Sequence, residues 1–347
     1  CSTGNTSSAS PIHGRSAHAD SGGPGPHALS DHELATRLSY FLWSSLPDDE
    51  LQRLADAGEL HAKLSQQLDR MLADPKAQAL VENFAGQWLQ LRDLAALSPD
   101  PQTYPEFDEA LRQSMRRETE LLFAHIISAD RSILDLLDAD YTFLNQRLAE
   151  HYGMAGVSGG EFKKVALPEG RRGVLMHASI LLITSNPTRT SPVKRGKWVL
   201  DNLLGEPPPP PPPDVPELGQ AGETLGTLRQ QMEQHRADPN CAVCHTKMDA
   251  LGFGLENFDG IGQWREQDGR TPIDPAGSLP GGRAFAGPVE LVKILAEDKR
   301  EEFSRCMTKK LLTYALGRGL NVSDRCTVNQ IVSDLADGDY RFSVLVK

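Results

Sequence analysis

Two cysteines separated by two residues and followed at once by a histidine constrain this chain more than any other feature. The motif is Cys241-Ala242-Val243-Cys244-His245. Two thiols at this spacing on a helical turn meet the two vinyl groups along one edge of a haem, and the adjacent imidazole then points at the iron. This pattern is the attachment signature of a c-type haem. The sequence therefore predicts one covalent haem c, attached through Cys241 and Cys244, with His245 as the iron ligand.

Two other kinds of site use similar residues. Zinc takes two thiolates and an imidazole, but it needs a fourth ligand. No second Cys-x-x-Cys and no close pair of histidines follows the motif. A dithiol redox site is the third possibility, although no thioredoxin-like βαβ pattern surrounds these residues. The spacing favours haem over both.

Apolar and basic residues just after the motif suit a haem. We expect Phe253, Phe258 and Trp264 to cover a porphyrin face, and Arg265 or Lys247 to pair with a propionate. Core packing is the alternative role for each aromatic residue. A basic loop lies at a predicted helix start and contains Arg189, Lys194, Arg195 and Lys197. This loop would bind the haem propionates or an anionic partner. The alternative is that its charges are only solvated.

The sixth position on the iron decides the chemistry of such a haem. Met248 follows His245 by three residues, so it lies on the same side of the haem and cannot reach the opposite face. Met307 is the first candidate for the distal metal ligand, and the other candidates are His151, Met176, His177 and His235. A sixth position without a protein ligand would instead permit peroxide or oxygen chemistry.

The remaining cysteines also carry predictions. Haem attachment to this motif takes place outside the bacterial cytoplasm, where disulfides persist. We therefore predict a disulfide between Cys306 and Cys326; two unrelated buried thiols are the alternative.

The amino-terminal segment has two interpretations. The chain opens with Cys1 and not with Met, and it stays rich in Ser, Gly, His and Pro up to about Leu29. In the first interpretation Cys1 is the lipid-modified residue of a mature bacterial lipoprotein and the segment is a flexible tether, which would anchor an extracytoplasmic protein to a membrane. In the second the sequence is a fragment and Cys1 is incidental.

Length and charge narrow the function classes. A chain of 347 residues suggests two or three domains. The formal net charge of -11 argues against nucleic-acid binding, which requires a basic face. No run of about 18 or more apolar residues occurs, so we predict no membrane-spanning helix.

Apolar periodicity predicts a mainly α fold. Ser30 and Glu33 have the spacing of a capping box, which marks the start of the first helix. Ser191 and Pro192 have the residue types of an N-cap and a first helical position. Later helices are predicted over residues 77–91, 107–127, 143–151, 193–204, 225–236, 288–316 with a break near Asp298, and 324–336.

Composition shifts suggest the domain organisation. We expect a tether over residues 1–28, a helical bundle domain over 29–157, a c-type haem domain with irregular Gly- and Pro-rich loops over 158–270, and a helical carboxy-terminal domain over 271–347. The haem domain includes seven consecutive prolines, residues 207–213, which favour a stiff polyproline II segment.

Several segments give the chain a specific resemblance over residues 29–347. It is similar to the large secreted cytochrome-c-like proteins of planctomycetes and myxobacteria, which are built from consecutive domains of unknown function. The resemblance implies three such domains, a single haem site and secretion, but it implies no particular reaction. The matching segments are LATRLSYFLW (34–43), ADYTFLN (139–145), TSNPTRTSPVKRG (184–196), CAVCH (241–245), MDALGF (248–253), ENFD (256–259) and KLLTYALGRG (310–319).

Three functions remain open from the sequence. The first is a cytochrome in extracytoplasmic electron transfer, as a haem subunit of a membrane-tethered assembly with a redox partner protein. The second is a haem enzyme of the peroxidase or oxygenase type, with an open or displaceable sixth ligand. The third is a structural component whose haem stabilises the fold. No acid–base constellation stands out in the sequence, which favours the first.

Overall fold

The computed structural model describes residues 28–209, 227–236, 239–280 and 282–347. These residues form a mainly α protein, as predicted, with short two-stranded sheets at its edges. The α-helices of the described residues are α1 (Asp31–Trp43), α2 (Asp49–Asp56), α3 (Leu64–Ala73), α4 (Gln78–Leu80), α5 (Gly86–Trp88), α6 (Glu109–Ser128), α7 (Asp135–Asp138), α8 (Gln146–His151), α9 (Ala178–Ile183), α10 (Pro192–Trp198), α11 (Leu228–His235), α12 (Pro239–Phe253), α13 (Pro288–Asp298), α14 (Arg300–Leu316), α15 (Asp324–Asp337) and α16 (Phe342–Val346).

Helix starts follow the predicted capping chemistry. At α1 the Glu33 amide donates to the Ser30 hydroxyl at 3.3 Å, and the Ser30 amide donates to the Glu33 carboxylate at 2.8 Å, which completes the capping box. At α10 Ser191 is the N-cap and Pro192 is the first helical residue. The predicted break near Asp298 separates α13 from α14.

The aromatic residues of the first helices are core residues. Trp43, Phe84, Trp88 and Phe123 are all buried. The Phe84 ring stacks on Trp88 with 5.5 Å between centroids, and the Trp43 indole donates to the carbonyl oxygen of Met71 at 3.0 Å. Each buried indole or ring thus has a packing or hydrogen-bond partner inside the bundle.

Two π-helical turns interrupt the longer helices. Val81–Ala85 joins α4 to α5, and Val199–Leu204 continues α10. The carbonyl oxygen of Asn202, in the second π turn, accepts from the Trp88 indole at 2.8 Å and from the Cys306 thiol at 3.3 Å. The wider turn frees a backbone carbonyl, and that carbonyl ties the first helical domain to α14.

The strands are short and antiparallel. They pair as β1 (Tyr141–Leu144) with β2 (Lys163–Ala166), β3 (Gln267–Asp268) with β4 (Thr271–Pro272), and β5 (Gly277–Ser278) with β6 (Ala284–Phe285). The prediction of helix from residue 143 was wrong at its start, because Phe143 pairs with Lys164 in the first sheet. Asn145 then caps α8, its side chain accepting from the Leu148 amide at 3.0 Å.

Three further helical turns are of the 3-10 type, Pro75–Ala77, Leu91–Ala96 and Val174–Met176. Among the described residues no helix is long and apolar enough to cross a membrane. The tether with Cys1 and prolines 210–213 lie outside the described residues.

Candidate functional site

The Cys-x-x-Cys-His motif lies in the amino-terminal half of α12. The backbones of Cys241 and Cys244 are helical, whereas their side chains lie outside the described part of the structure. Residues four apart on a helix lie on one face. His245, Asp249 and Phe253 follow at this spacing, so one face of α12 carries the imidazole of the motif at one end and an aromatic ring at the other.

The His245 imidazole is held by a carboxylate on the same face. Its Nδ1 lies 2.9 Å from Oδ1 of Asp249, one helical turn further on. An ionised carboxylate can only accept a hydrogen bond, so Nδ1 carries a hydrogen, and in the neutral imidazole the lone pair is then on Nε2. This is the tautomer that an iron-ligating histidine requires.

Asp249 is completely buried, while the His245 side chain is 16% exposed. Oδ2 of Asp249 accepts no hydrogen bond from the residues that the structure describes. The nearest cation is Arg236, whose Nε lies 3.6 Å from that oxygen, and the Arg236 side chain is 25% exposed. The carboxylate thus has a cation on one oxygen and the imidazole on the other.

A close crossing of α10 and α12 fixes the position of the motif-bearing helix. A Cβ at Gly196 of α10 would lie 1.7 Å from the carbonyl oxygen of Met248, and a Cβ at Gly252 of α12 would lie 1.9 Å from that of Pro192. Each helix therefore contributes one glycine at which the other helix's backbone is in contact. The space beside Gly252 is filled by the backbone of α10.

Arg195 anchors the segment that follows α12. Its guanidinium is fully buried and donates to the carbonyl oxygens of Leu255, Phe258 and Asp259 at 2.6, 2.9 and 2.8 Å. It also pairs with Glu256 at 3.0 Å. These contacts hold both terminal nitrogens of the guanidinium inside the fold, while its Nε is buried without a hydrogen-bond partner among the described residues. Because the whole group is buried, Arg195 does not serve the anion-binding role considered for the basic loop.

The other cations of that loop differ in their surroundings. Lys197 pairs with Asp201 at 2.9 Å, and the Lys194 ammonium donates to the carbonyl oxygen of Ser185 at 3.5 Å. Arg189 is exposed and lines a cleft beside the end of α12. Of the four basic residues, Arg189 is the one that faces this cleft.

The cleft has a volume of about 770 Å³, within the usual range for small-molecule and cofactor sites. Phe253 forms part of its wall, and the Arg229 guanidinium lies 4.2 Å from the centre of that ring. Arg229 is held in turn by the carbonyl oxygens of Asp274 and Ala276, both at 2.7 Å. The face of α12 that carries His245 thus ends at a solvent-accessible pocket.

Three other residues were predicted to surround a haem, namely Phe258, Trp264 and Arg265. Phe258 is fully buried and packs edge-on against Trp264 at 5.3 Å, and Trp264 is 48% exposed. Arg265 pairs with Glu256 and Asp268, both at 3.0 Å. The Phe258 ring therefore packs in the core, which is the alternative role that the sequence left open for it.

The two predicted propionate partners already have carboxylate partners. Lys247 pairs with Glu206 at 2.6 Å, and Arg265 with the two carboxylates named above. Propionate pairing by either residue stays a prediction.

The candidates for the sixth iron ligand are buried where the structure describes them. Met307 on α14 is fully buried in the core. The Nε2–H of His151 donates to the carbonyl oxygen of Ile261 at 2.8 Å, and burial lowers the pKa of this histidine to about 4. The sulfur of Met176 accepts from the Arg172 amide at 3.0 Å. The His235 side chain lies outside the described part, and the Met307 ligand stays a prediction.

The predicted disulfide is not formed in this structure. Cys306 is a free, buried thiol that donates to the carbonyl oxygen of Asn202. Burial raises the pKa of this thiol to about 11. Cys326 is exposed on α15. The pairing stays a prediction that thiol chemistry can test.

Comparison with protein families divides the chain into three parts. Residues 29–154 match a protein of unknown function (DUF1592), residues 171–268 match a protein of unknown function (DUF1588), and residues 281–347 match a protein of unknown function (DUF1585). The chain is a tandem of DUF1592, DUF1588 and DUF1585 domains. No curated protein and no solved structure matches it. The Cys-x-x-Cys-His motif, Asp249 and the α10–α12 crossing all belong to the DUF1588 domain.

A buried polar cluster joins the DUF1592 and DUF1588 domains. The Glu118 carboxyl of α6 is fully buried and accepts from the Tyr152 hydroxyl at 2.6 Å and the Thr142 hydroxyl at 2.8 Å. His177, from the DUF1588 domain, lies 3.8 Å from it. Burial raises the pKa of Glu118 to about 7 and lowers the pKa of His177 to about 3.

Arg171 supplies the positive charge of this cluster. Its guanidinium lies 3.7 Å from the centre of the Tyr152 ring and donates to the carbonyl oxygens of Met176 and Gly262. Burial lowers the pKa of Arg171. The cluster thus reaches from α6 to the loop after α12, and it packs the DUF1592 domain against the part of the DUF1588 domain that carries the motif.

The contact between Asp249 and His245 was not predicted from the sequence. Asp249 was named there only as part of the segment MDALGF (248–253), which supports the family resemblance. The spacing was the available signal, since a carboxylate four residues after a histidine in a predicted helix lies on the same face. Its complete burial had no such signal, because it depends on α10 and α11 packing over α12.

Proposed function

We propose that this protein is a c-type cytochrome that transfers electrons outside the cytoplasm. Its haem would be held by thioether bonds to Cys241 and Cys244 and by His245 on the iron. One observation carries the proposal: the imidazole of the Cys-x-x-Cys-His motif is hydrogen-bonded through Nδ1 to a buried carboxylate, at 2.9 Å. Histidines that bind metals are commonly held through their other nitrogen in this way.

The residues present fit a covalent haem. The Nδ1 of the imidazole is within hydrogen-bond distance of a carboxylate, which leaves Nε2 as the ligand atom of the neutral ring, and the motif's backbone is helical, so Cys241, Cys244 and His245 follow one another within about one helical turn. Among the described side chains, no group of three His, Cys, Asp or Glu residues is arranged to hold a metal ion by itself. A bound haem would supply one-electron chemistry between Fe(III) and Fe(II).

Rigidity also supports electron transfer. The motif-bearing helix is held by the glycine contacts with α10, and the segment after it is held by the buried Arg195. A site that changes little between oxidation states needs little rearrangement when an electron arrives or leaves. We propose a redox partner protein as the source or acceptor of that electron.

The location follows from the same proposal. Haem attachment to this motif takes place outside the bacterial cytoplasm, so we propose an extracytoplasmic protein. The lipid anchor at Cys1 and the membrane-tethered assembly remain predictions, since the tether lies outside the described residues.

A second function is favoured by the cleft at the end of α12. A pocket of about 770 Å³, with Phe253 in its wall, would suit a small substrate of a haem enzyme of the peroxidase or oxygenase type. Such an enzyme needs an iron position that an exogenous ligand can occupy.

The visible spectrum of the purified haem-loaded chain, with and without carbon monoxide, separates the two functions. Electron transfer predicts a low-spin spectrum in both oxidation states and no carbon monoxide binding. If Met307 is the distal ligand, the oxidised protein shows a Met–iron charge-transfer band, and Met307→Ala abolishes it. A high-spin spectrum with ready carbon monoxide binding would contradict electron transfer and support the enzyme.

A further inference from the structure

The pairing of His245 with Asp249 supports a more specific inference, which rests on the proposed function. We infer that Asp249 is the positioning residue for His245: its buried carboxylate holds the imidazole through Nδ1, directs Nε2 towards the iron and lowers the reduction potential of that iron. The inference depends on three features of the described residues, which are the hydrogen bond, the burial of the carboxylate and the surroundings of its second oxygen.

The hydrogen bond fixes the direction of the imidazole. Asp249 follows His245 by one helical turn, and Oδ1 lies 2.9 Å from Nδ1. Both side chains are on one helix, so their separation is set by the helix itself and not by a flexible loop. The ring is therefore held in place before any metal is bound.

Burial makes this contact strong. Asp249 has no exposed surface. Hydrogen bonds to charged groups are stronger than neutral ones, and a low dielectric constant strengthens them further. A buried carboxylate that accepts from Nδ1 transfers negative charge onto the ring, which makes Nε2 a more basic ligand.

The surroundings of the second carboxylate oxygen, Oδ2, do not cancel this transfer of negative charge to the imidazole. Oδ2 accepts no hydrogen bond from the described residues, and the Arg236 Nε at 3.6 Å is too far for one. The carboxylate is therefore stabilised by a nearby charge, but its electrons are not drawn away by a competing donor. A more basic imidazole stabilises Fe(III) over Fe(II), which lowers the potential.

A purely structural role for Asp249 makes a different prediction. In that case the carboxylate would only hold Arg236, the residue that caps the end of α11, against α12, and the iron would not sense its charge through the ring. The midpoint potential of the haem distinguishes the two roles, because helix stability alone does not change it.

The test uses the full chain, produced together with a haem-attachment machinery, and a mediated redox titration. Asp249→Asn keeps the shape of the side chain and removes its charge. We expect the equilibrium constant for reduction to rise about tenfold, which is about 59 mV for a one-electron couple. Glu206→Gln is the matched control, since Glu206 also loses one negative charge and pairs with Lys247, two residues from His245.

A potential of Asp249→Asn that equals that of Glu206→Gln would overturn the inference. If Asp249→Asn fails to fold or to bind haem, Arg236→Gln tests the same inference, because Arg236 is the cation beside Oδ2 of Asp249. Removing this cation leaves the negative charge of the carboxylate uncompensated at Oδ2, so we expect a lower potential than in Lys247→Gln, which loses the same charge at a residue that pairs with Glu206 and not with Asp249. Equal potentials in those two variants would also overturn the inference.

Failure of the proposed function is distinguishable from failure of this inference. A wild-type chain that carries no covalent haem contradicts the cytochrome and the inference with it. A wild-type chain that carries haem, with an Asp249→Asn potential unchanged, contradicts the inference alone.

Discussion

Gly196 of α10 and Met248 of α12 meet through their backbones: a Cβ at Gly196 would lie 1.7 Å from the carbonyl oxygen of Met248. The contact is reciprocal, because Gly252 of α12 meets the backbone of Pro192 in the same way, at 1.9 Å. Small residues allow two helices to approach this closely. The helix that carries His245 is therefore positioned by backbone contact and not only by side-chain packing.

A methyl group at this crossing should separate the two helices. For Gly196→Ala we expect a loss of at least about 2 kcal/mol in the free energy of unfolding, because the clash is with backbone atoms that cannot move aside. Urea denaturation of the purified chain measures it. Gly319→Ala is the control, since a Cβ at Gly319 meets nothing within 4 Å. Equal unfolding free energies for the two variants would show that α10 and α12 do not cross as described.

Arg195 should be irreplaceable by lysine, if it is the structural residue that its contacts indicate. Lysine cannot reproduce a guanidinium that donates to three carbonyl oxygens and a carboxylate at once. Arg195→Lys should therefore lower the free energy of unfolding by about 3 kcal/mol or more, as for broken buried ion pairs. The exposed Arg189→Lys is the matched control and should change it by less than about 0.5 kcal/mol. A tolerated Arg195→Lys would revive the anion-binding role.

Much of the helical organisation could be predicted from local signals. The capping box at Ser30, the Ser191–Pro192 start and the break at Asp298 each depend on residues close in the chain. The strand at Phe143 could not be predicted in this way, because its partner Lys164 lies about twenty residues further along the chain. Pairing over that distance overrides a helical spacing that is ambiguous for so short a segment.

The sequence predicts the chemistry of the candidate site but not what supports it. The motif predicts Cys241, Cys244 and His245 as the residues that attach a haem, and this stays a prediction. What holds His245 depends on burial, and burial depends on helices that pack over α12 from elsewhere in the chain. Arg195 shows the same limit: its charge suggested a surface role, whereas the fold encloses it completely.

The Glu118–His177 cluster predicts a specific pH dependence. Between pH about 4.5 and 7 folded Glu118 holds a proton that the unfolded chain releases, so its contribution to stability is present at low pH and lost as the pH rises through 7. His177 acts in the opposite sense, since its folded pKa of about 3 makes stability rise with pH up to about 6.5. In the wild type the two trends offset each other. Arg171 and Tyr152 are the other ionisable groups that face Glu118.

Glu118→Gln removes one of these two trends. We expect the stability of this variant to rise relative to wild type by an amount on the order of 3 kcal/mol between pH 4.5 and 7.5. Urea denaturation at both pH values measures the difference. Glu109→Gln, an exposed carboxyl on the same helix, is the control. Parallel profiles for wild type and Glu118→Gln would mean that Glu118 does not titrate as a buried group.

The state of Cys306 can be read from its reaction with iodoacetamide. The thiol is buried and its pKa is raised to about 11, so we expect no labelling of Cys306 in the native protein at pH 7.5. In denaturant without reductant it should label fully, as peptide mass spectrometry will show. Labelling that appears only after reduction would establish the Cys306–Cys326 disulfide that the sequence suggested.

The most direct test of the central claim is the intact mass of the full chain, produced with a haem-attachment machinery and measured under denaturing conditions. The cytochrome proposal predicts a mass greater than that of the polypeptide by one haem, together with a haem absorption band that survives denaturation. The double variant Cys241→Ser, Cys244→Ser should lack both. A wild-type mass equal to that of the polypeptide alone, in cells that mature another c-type cytochrome normally, would contradict the proposal.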